Sequence, residues 1–311
     1  MLRVGILGVG GISGSHIAAW REVEDAEVAA LCDIRSEMME KYPDIPHYND
    51  FETMIAEADL DAVDICLPTY LHAEYSVRAM DAGLHVICEK PVSLKKEDVS
   101  VIYEAARRNG VRFMVAHVVR FWPEYLFLKE TYESGKYGKL LFGEMHRLAT
   151  CPGWSWDGWM RDEKRSGYVP FDLHIHDLDF LVFAFGAPVK CDPVRVRSEG
   201  QDYVNVRYGF KDFTVQCESA WYAATYPFTF GYRFVFETGI IEFKDGKVTV
   251  CEVGKMPMTV SGTADGGGAI PKSNAYAEEI KYFADCVKKG VDCDKVKPAE
   301  LESVLEALNS L

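Results

Sequence analysis

Along the first 120 residues, short apolar runs alternate with stretches of helical periodicity. Runs at 2–8, 26–33, 61–67, 84–89 and 111–117 predict strands, and stretches near 12–22, 36–42, 50–58, 71–82 and 94–109 predict helices. Such alternation implies βαβ units with right-handed crossovers, wound into a doubly wound parallel sheet. The run Val63-Asp64-Ile65-Cys66-Leu67 is apolar almost throughout, which suits a strand covered on both faces.

Beyond about residue 121 the pattern changes. A helical stretch (123–134) leads to a strand (138–149), a loop rich in Trp and Gly (151–167) and a helical segment near 170–185. From 190 to 252 one strand follows another, separated by turn signals at Gly209–Asp212, Thr238-Gly239 and Asp245-Gly246. The overall class is therefore α/β: an N-terminal Rossmann-type domain over 1–121, then an α+β domain over 122–311 built on a large, open, mainly antiparallel sheet. A flexible loop is expected at Thr263–Gly268, and closing helices within 274–310 are expected to belong to the second domain.

Composition fits this picture: 311 residues, 48% hydrophobic and 26% charged, describe a soluble globular chain. The net charge of −14 is spread without a basic stripe. Nucleic acid and anionic membranes, which need clustered Lys and Arg, are not expected partners. The longest apolar run, Phe180–Val189, is interrupted by Gly186 and Pro188 and falls short of the roughly 18 residues of a membrane span. Met1 leads straight into the first strand, so no signal peptide is expected. Nine cysteines, an odd count with no C-x-x-C pair, suggest reduced thiols in a cytoplasm and neither a disulfide framework nor a zinc site.

Candidate chemistry begins after the first strand. In Gly8-Val9-Gly10-Gly11-Ile12-Ser13, Gly8 permits a tight turn and Gly10 a close approach of pyrophosphate. Gly11 and Ile12 offer backbone N–H groups at the helix start. Ser13 stands where a third glycine is usual, and is small enough for close helix–strand packing. Asp33 ends the second strand roughly twenty residues on, where a carboxylate accepts ribose hydroxyls and repels a 2′-phosphate. NAD is thus expected ahead of NADP, with Arg35 either offsetting that repulsion or covering the adenine.

Pro68, Thr69, His72, Glu89 and Lys90 lie just beyond the third and fourth predicted strands, on the edge where open α/β sheets bind ligands. Pro91 holds Lys90 extended, with a cis bond as one option. Further on, Asp172, His176 and Asp179 share one face if their segment is helical, and a carboxylate one turn from a histidine suits a general base. Ordinary ion pairing is the plainer alternative. A metal site through His174 and His176 is disfavoured, because residues two apart diverge on a helix.

Gly8-x-Gly10-x-x-Ser13, Glu89-Lys90-Pro91, Arg120-Phe121-x-Pro123 and Asp172-x-x-x-His176-x-x-Asp179 together resemble the Gfo/Idh/MocA family of oxidoreductases across essentially the whole chain. The resemblance implies a tightly held nicotinamide cofactor and oxidation of a secondary alcohol of a sugar or cyclitol. It places Lys90 near the nicotinamide, Asp172 and His176 at the reacting hydroxyl, and Arg120 among the cofactor-binding residues. Where the family often has a glycine run, this chain reads Ser166-Gly167-Tyr168, so Tyr168 is expected to narrow the substrate pocket. Trp154 and Trp156 are candidates to stack on a sugar, against the alternative of a hydrophobic plug or oligomer contact.

Three functions follow in order of expectation: an NAD-dependent dehydrogenase, an NAD-using glycosidase working by transient oxidation, and a non-catalytic sensor. The strict alternation of aromatics from Phe228 to Phe236 marks one aromatic face on that strand. An exposed face of this kind predicts a homodimer or homotetramer through the sheet. The alternative is that the aromatic face lies under helices.

Overall fold

The computed structural model describes residues 1–260 and 274–311; the loop expected at Thr263–Gly268 lies outside the described residues. Two compact units result: Met1–Val118 with Asn274–Glu302, and Val119–Ser273 with Ser303–Leu311.

The first unit runs β1 (Leu2–Leu7), α1 (Ser13–Trp20), β2 (Ala26–Cys32), β3 (His47–Tyr48), α2 (Phe51–Glu57), β4 (Ala62–Ile65), α3 (His72–Asp81), β5 (His85–Glu89), α4 (Glu97–Asn109) and β6 (Phe113–Ala116). All six strands are parallel, in the order β3-β2-β1-β4-β5-β6. That is the doubly wound order with its switch point between β1 and β4. Central strands are buried on both faces, as their near-continuous apolar sequences require. The helix expected over 36–42 is only a 3-10 turn at Ser36–Met38. Pro43 and Pro46 follow immediately and leave no room to extend it.

The second unit contains α5 (Pro123–Ser134), β7 (Leu140–Thr150), α6 (Glu163–Ser166) and α7 (Ile175–Phe185), then β8 (Lys190–Ser198), β9 (Gln201–Gly209), β10 (Thr214–Tyr222), β11 (Thr229–Phe236), β12 (Gly239–Lys244), β13 (Lys247–Glu252) and β14 (Met258–Thr259). They form one sheet, β14-β13-β12-β11-β7-β10-β9-β8, antiparallel except where β7 and β10 lie parallel.

From Tyr232 to Phe236 the aromatic row points inward, which corrects the expectation that it is exposed; at its start Phe230 is half-buried and Phe228 stays 57% exposed. Tyr232, Phe234 and Phe236 are at most 3% exposed. Tyr125 of α5 meets Tyr232 and Phe180 edge-on, at 5.2 and 4.9 Å, and Phe185 of α7 lies 5.7 Å from Phe234. A Cβ on Gly143 would stand 2.5 Å from the Phe234 ring, so β7 needs glycine there to let the ring lie flat across the sheet.

The two closing helices are α8 (Ala275–Lys289) and α9 (Pro298–Leu308). Helix α8 packs on α1, with Phe283 edge-on to Trp20 at 6.3 Å, and belongs to the first unit. Of the 274–310 expected in the second domain, Asn274–Glu302 fall in the first unit and Ser303 onward in the second. An amphipathic helix carries no mark of which unit its apolar stripe will cover; here α1 presents the complementary buried face, including Ile17 and Trp20. Helix α9 begins in the first unit and ends in the second.

Candidate active site

The glycine loop has the conformation its residue types anticipate. Gly8 sits at φ +91°, and a Cβ there would lie 2.8 Å from the Cys66 carbonyl oxygen. Gly10 faces open space: nothing lies within 4 Å of where its Cβ would be, so a phosphate has room to reach the backbone. Ser13 is buried, and its hydroxyl donates to the Gly10 carbonyl at 2.8 Å, which holds the loop against the start of α1. Gly11 and Ile12 lead directly into that helix.

Asp33 closes the same edge. Its carboxylate accepts from the Val9 backbone at 2.8 Å, and from the Arg35 backbone at 2.9 Å and guanidinium at 3.2 Å. Arg35 is thereby turned onto Asp33, which lowers its value as a counter-ion for a 2′-phosphate. Pro68 caps the 3-10 turn that carries Thr69. These residues fit a dinucleotide whose ribose reaches Asp33 and whose pyrophosphate meets the start of α1.

Three residues expected at the cofactor, His72, Glu89 and Arg120, are buried with their polar atoms bonded within the protein, Glu89 to His16 and to the Lys90 backbone N–H. His72 is 1% exposed, with its ring nitrogens on the carbonyls of Pro91 (2.6 Å) and Leu67 (2.7 Å). Burial lowers its pKa. It braces the loop after β4 to the loop after β5 and has no surface left for a ligand. Arg120 in the second unit is fully buried and grips Asp179 through two bonds of 2.8 and 2.6 Å, its guanidinium stacked over Phe183. It is a structural clamp, and Asp179 is its partner, not a third member of the Asp172–His176 face.

Lys90 is half-buried at the end of β5, and the Lys90-Pro91 bond is cis. Behind it lies a buried cluster that sequence reading missed. His16 of α1 is hydrogen-bonded through Nδ1 to Asp64 (2.9 Å) and through Nε2 to Glu89 (3.0 Å), while Trp20 donates to Asp64 at 2.7 Å. The available signal was Asp64 itself, a carboxylate inside an apolar strand that has to find partners in the core. His16, Asp64 and Cys66 are near enough to share a cation. The donors are already committed to one another, however, and burial pushes the Cys66 thiol up to about 12, far from the thiolate a metal takes.

In the second unit, Pro170–His174 forms a π-helical turn that runs into α7. From Val169 to Val182 every residue is buried except Asp172 and His176, which are half-buried. His174 turns the opposite way, into the sheet, between Ser219 (3.0 Å) and Tyr208 (2.7 Å). Burial, with Arg147 nearby, drives its pKa down to about 3, so it is a neutral core histidine. Asp177 likewise points inward to Arg147 at 2.8 Å. Arg120–Asp179 and Arg147–Asp177 thus pin α7 in the orientation that leaves Asp172 and His176 facing out.

A cavity of about 440 Å³ in this unit is lined by Tyr168, Trp221, Arg161, Arg197, Asp202 and Cys151, among others. Tyr168 adopts φ +59°, its hydroxyl donates to the Arg161 carbonyl at 3.1 Å, and Arg197 lies 4.5 Å over its ring. Trp154 is 74% exposed and Trp156 also projects outward, so neither is a plug within the chain.

Comparison with known proteins bears on both units. Residues 2–117 match the "Oxidoreductase family, NAD-binding Rossmann fold" model, and residues 125–242 match the C-terminal domain of the same GFO/IDH/MocA family. The chain belongs to the Gfo/Idh/MocA family of oxidoreductases. Its first unit is accordingly an NAD-binding Rossmann domain. D-glucoside 3-dehydrogenase of Escherichia coli (strain K12) is 29% identical over 192 residues, covering 60% of this chain and 55% of that protein. Myo-inositol 2-dehydrogenase of Thermotoga maritima is 30% identical over 194 residues, covering 61% and 56%. The matched region thus spans little more than half the length of these relatives. A levoglucosan dehydrogenase solved with NADH and levoglucosan has the same fold, with a TM-score of 0.84 at 20% identity over 99% of this chain and 96% of that one. No helix among the described residues is long and apolar enough to cross a membrane.

Proposed function

We propose that this protein is an NAD-dependent dehydrogenase acting on a secondary alcohol of a sugar, sugar derivative or cyclitol. The observation that carries the reading is the pair Asp172 and His176, the two residues to keep surface on an otherwise buried segment. In this family the named relatives are dehydrogenases of a glucoside and of myo-inositol. They support simple dehydrogenation over transient oxidation followed by elimination.

The first unit holds the cofactor through Gly8, Gly10, Gly11, Ile12, Asp33, Pro68 and Thr69, with Arg35 held by Asp33. Bound nicotinamide supplies the acceptor for the hydride that leaves the carbinol carbon. His176 takes the hydroxyl proton as the hydride departs, and Asp172 orients the imidazole and the substrate. The Lys90 ammonium stabilises the developing alkoxide. Tyr168, four residues before Asp172, narrows the substrate side, and Trp154 and Trp156 offer exposed faces for the C–H surface of a sugar ring.

The test is a panel of myo-inositol, levoglucosan, aldoses and aryl glucosides incubated with NAD. Stoichiometric NADH is the expected result. Release of aglycone without net NADH favours the glycosidase, and no turnover of any member removes the dehydrogenase reading.

Assembly as a homodimer or homotetramer belongs to the same proposal, now through the outer face of the sheet. On that face Ile240, Val235 and Phe142 align across β12, β11 and β7, and Val196, Tyr203, Ala220 and Leu148 align across β8, β9, β10 and β7. Phe142 and Val196 are 44% and 60% exposed, whereas Ala220 and Leu148 are buried within the chain, so the open part of the face lies toward β8 and around Phe142. The cross-strand Arg233–Glu144 pair lies between the two rows. Light scattering at micromolar concentration should show a multiple of 35.0 kDa. A reducing cytoplasm is the proposed compartment, because all nine cysteines are free thiols.

A further inference from the structure

His16 is fully buried, and each of its ring nitrogens faces a carboxylate: Nδ1 lies 2.9 and 3.0 Å from the two Asp64 oxygens, and Nε2 lies 3.0 Å from Glu89. Each nitrogen meets an anionic acceptor, not the neutral carbonyls that flank His72, and that arrangement favours an imidazolium donating from both nitrogens. Burial, the largest single influence, opposes that charge, but Asp64 and Cys66 together outweigh it and hold the imidazole well above its ordinary range. Burial likewise opposes the Glu89 carboxylate, yet the His16 hydrogen bond and charge hold it below its ordinary value. The second Glu89 oxygen accepts the Lys90 backbone N–H at 2.9 Å. Asp64, His16, Glu89 and Lys90 therefore form a line of alternating charge, running from the core of the Rossmann unit to the end of β5.

We propose that His16 is a positioning residue for Lys90, acting through Glu89: its charge keeps the Glu89 carboxylate in place, and that carboxylate fixes the main chain from which the Lys90 ammonium extends. The inference rests on the dehydrogenase reading of Lys90. Hydrogen bonds around the line leave the cluster few alternatives. Trp20 occupies Asp64 from the helix side, Cys66 donates to Asp64 at 3.6 Å, and Tyr276 of α8 closes over the imidazole at 5.9 Å. Without the cation, two buried carboxylates face each other across the gap. One of them must then take up a proton or turn away, and Lys90 shifts with Glu89.

The experiment is a double-mutant cycle between His16→Gln and Lys90→Ala. It reads kcat on the best substrate among myo-inositol, levoglucosan and methyl glucoside, together with the NADH dissociation constant from fluorescence. His16→Gln should lower kcat by about 10- to 100-fold, the scale of a misplaced catalytic group, with NADH affinity nearly unchanged. In the Lys90→Ala background it should cost little more, because its effect passes through Lys90. A merely structural histidine gives losses that multiply; that outcome, or wild-type kcat in His16→Gln, overturns the positioning role while leaving the dehydrogenase intact. If Lys90→Ala itself turns over like the wild type, the assignment of Lys90 falls and this inference with it. Should His16→Gln not fold, the same cycle on His16→Gln/Asp64→Asn, which removes the cation together with its core-side carboxylate and leaves Glu89 in place, gives the same readings.

Discussion

Arg120 and Asp179 offer a sharp test of how the second unit holds its reactive face. The side chains are 0% and 1% exposed and joined by two bonds, so neither solvent nor salt screens them. Replacing Arg120 with Met keeps apolar bulk over Phe183 but takes both guanidinium bonds from the buried Asp179 carboxylate. Breaking one partner of such a pair costs about 3–5 kcal/mol, because the remaining charge is left uncompensated. Replacing both, as Arg120→Met/Asp179→Leu, removes the desolvation penalty together with the attraction, and recovery to within about 1 kcal/mol of the wild type is expected. Urea unfolding followed by tryptophan fluorescence reads this unit selectively, since Trp20 lies in the first unit and the other five tryptophans in the second. Two units need not unfold in one step, so the transition of the second is the one compared. A single variant that loses under about 1 kcal/mol, or a double that loses as much as the single, refutes the clamp. NADH affinity adds a second check: a folded double variant with weakened NADH binding means that Arg120 touches the cofactor after all.

Gly143→Ala places a Cβ 2.5 Å from the Phe234 ring and should destabilise the protein by about 1–3 kcal/mol in the same unfolding assay, as overpacking does. His174, with a folded pKa of about 3 against an ordinary 6.5, binds fewer protons folded than unfolded between those values. Its neutral burial therefore favours folding fully above pH 6.5 and progressively less as the pH falls toward 3; His174→Gln should flatten the decline across that window by up to about 1.4 kcal/mol per pH unit. Cys32 and Cys66, both buried with thiols pushed up to about 12, should resist a thiol reagent in the native protein at mildly alkaline pH and react once it is unfolded. Trp154→Ala should change stability by less than about 0.5 kcal/mol because the ring is exposed, while raising KM for the sugar; an unchanged KM removes Trp154 from the substrate site.

The sequence by itself determined what local rules decide. The parallel sheet was legible because continuous apolar runs and helical periodicity depend only on neighbours along the chain, and so was the glycine loop, where Gly8 alone tolerates φ +91°. That Asp33 follows the second strand and that Asp172 and His176 lie one turn apart was legible from spacing. Tertiary structure decided everything that depends on which face meets what. Alternation showed that Tyr232, Phe234 and Phe236 share a side, but a period of two reads the same whether that side meets helices or water. Helix α8 has a clear apolar stripe, and only the packing of Phe283 on Trp20 assigns it to the Rossmann unit. Arg120 entered as a site residue through a family motif and Asp179 through a shared helical face; their mutual neutralisation inside the core joins positions 59 residues apart. His16, Asp64 and Glu89 come from one helix and the ends of two strands, so no spacing in the sequence brings them together. The sheet that stacks those strands does.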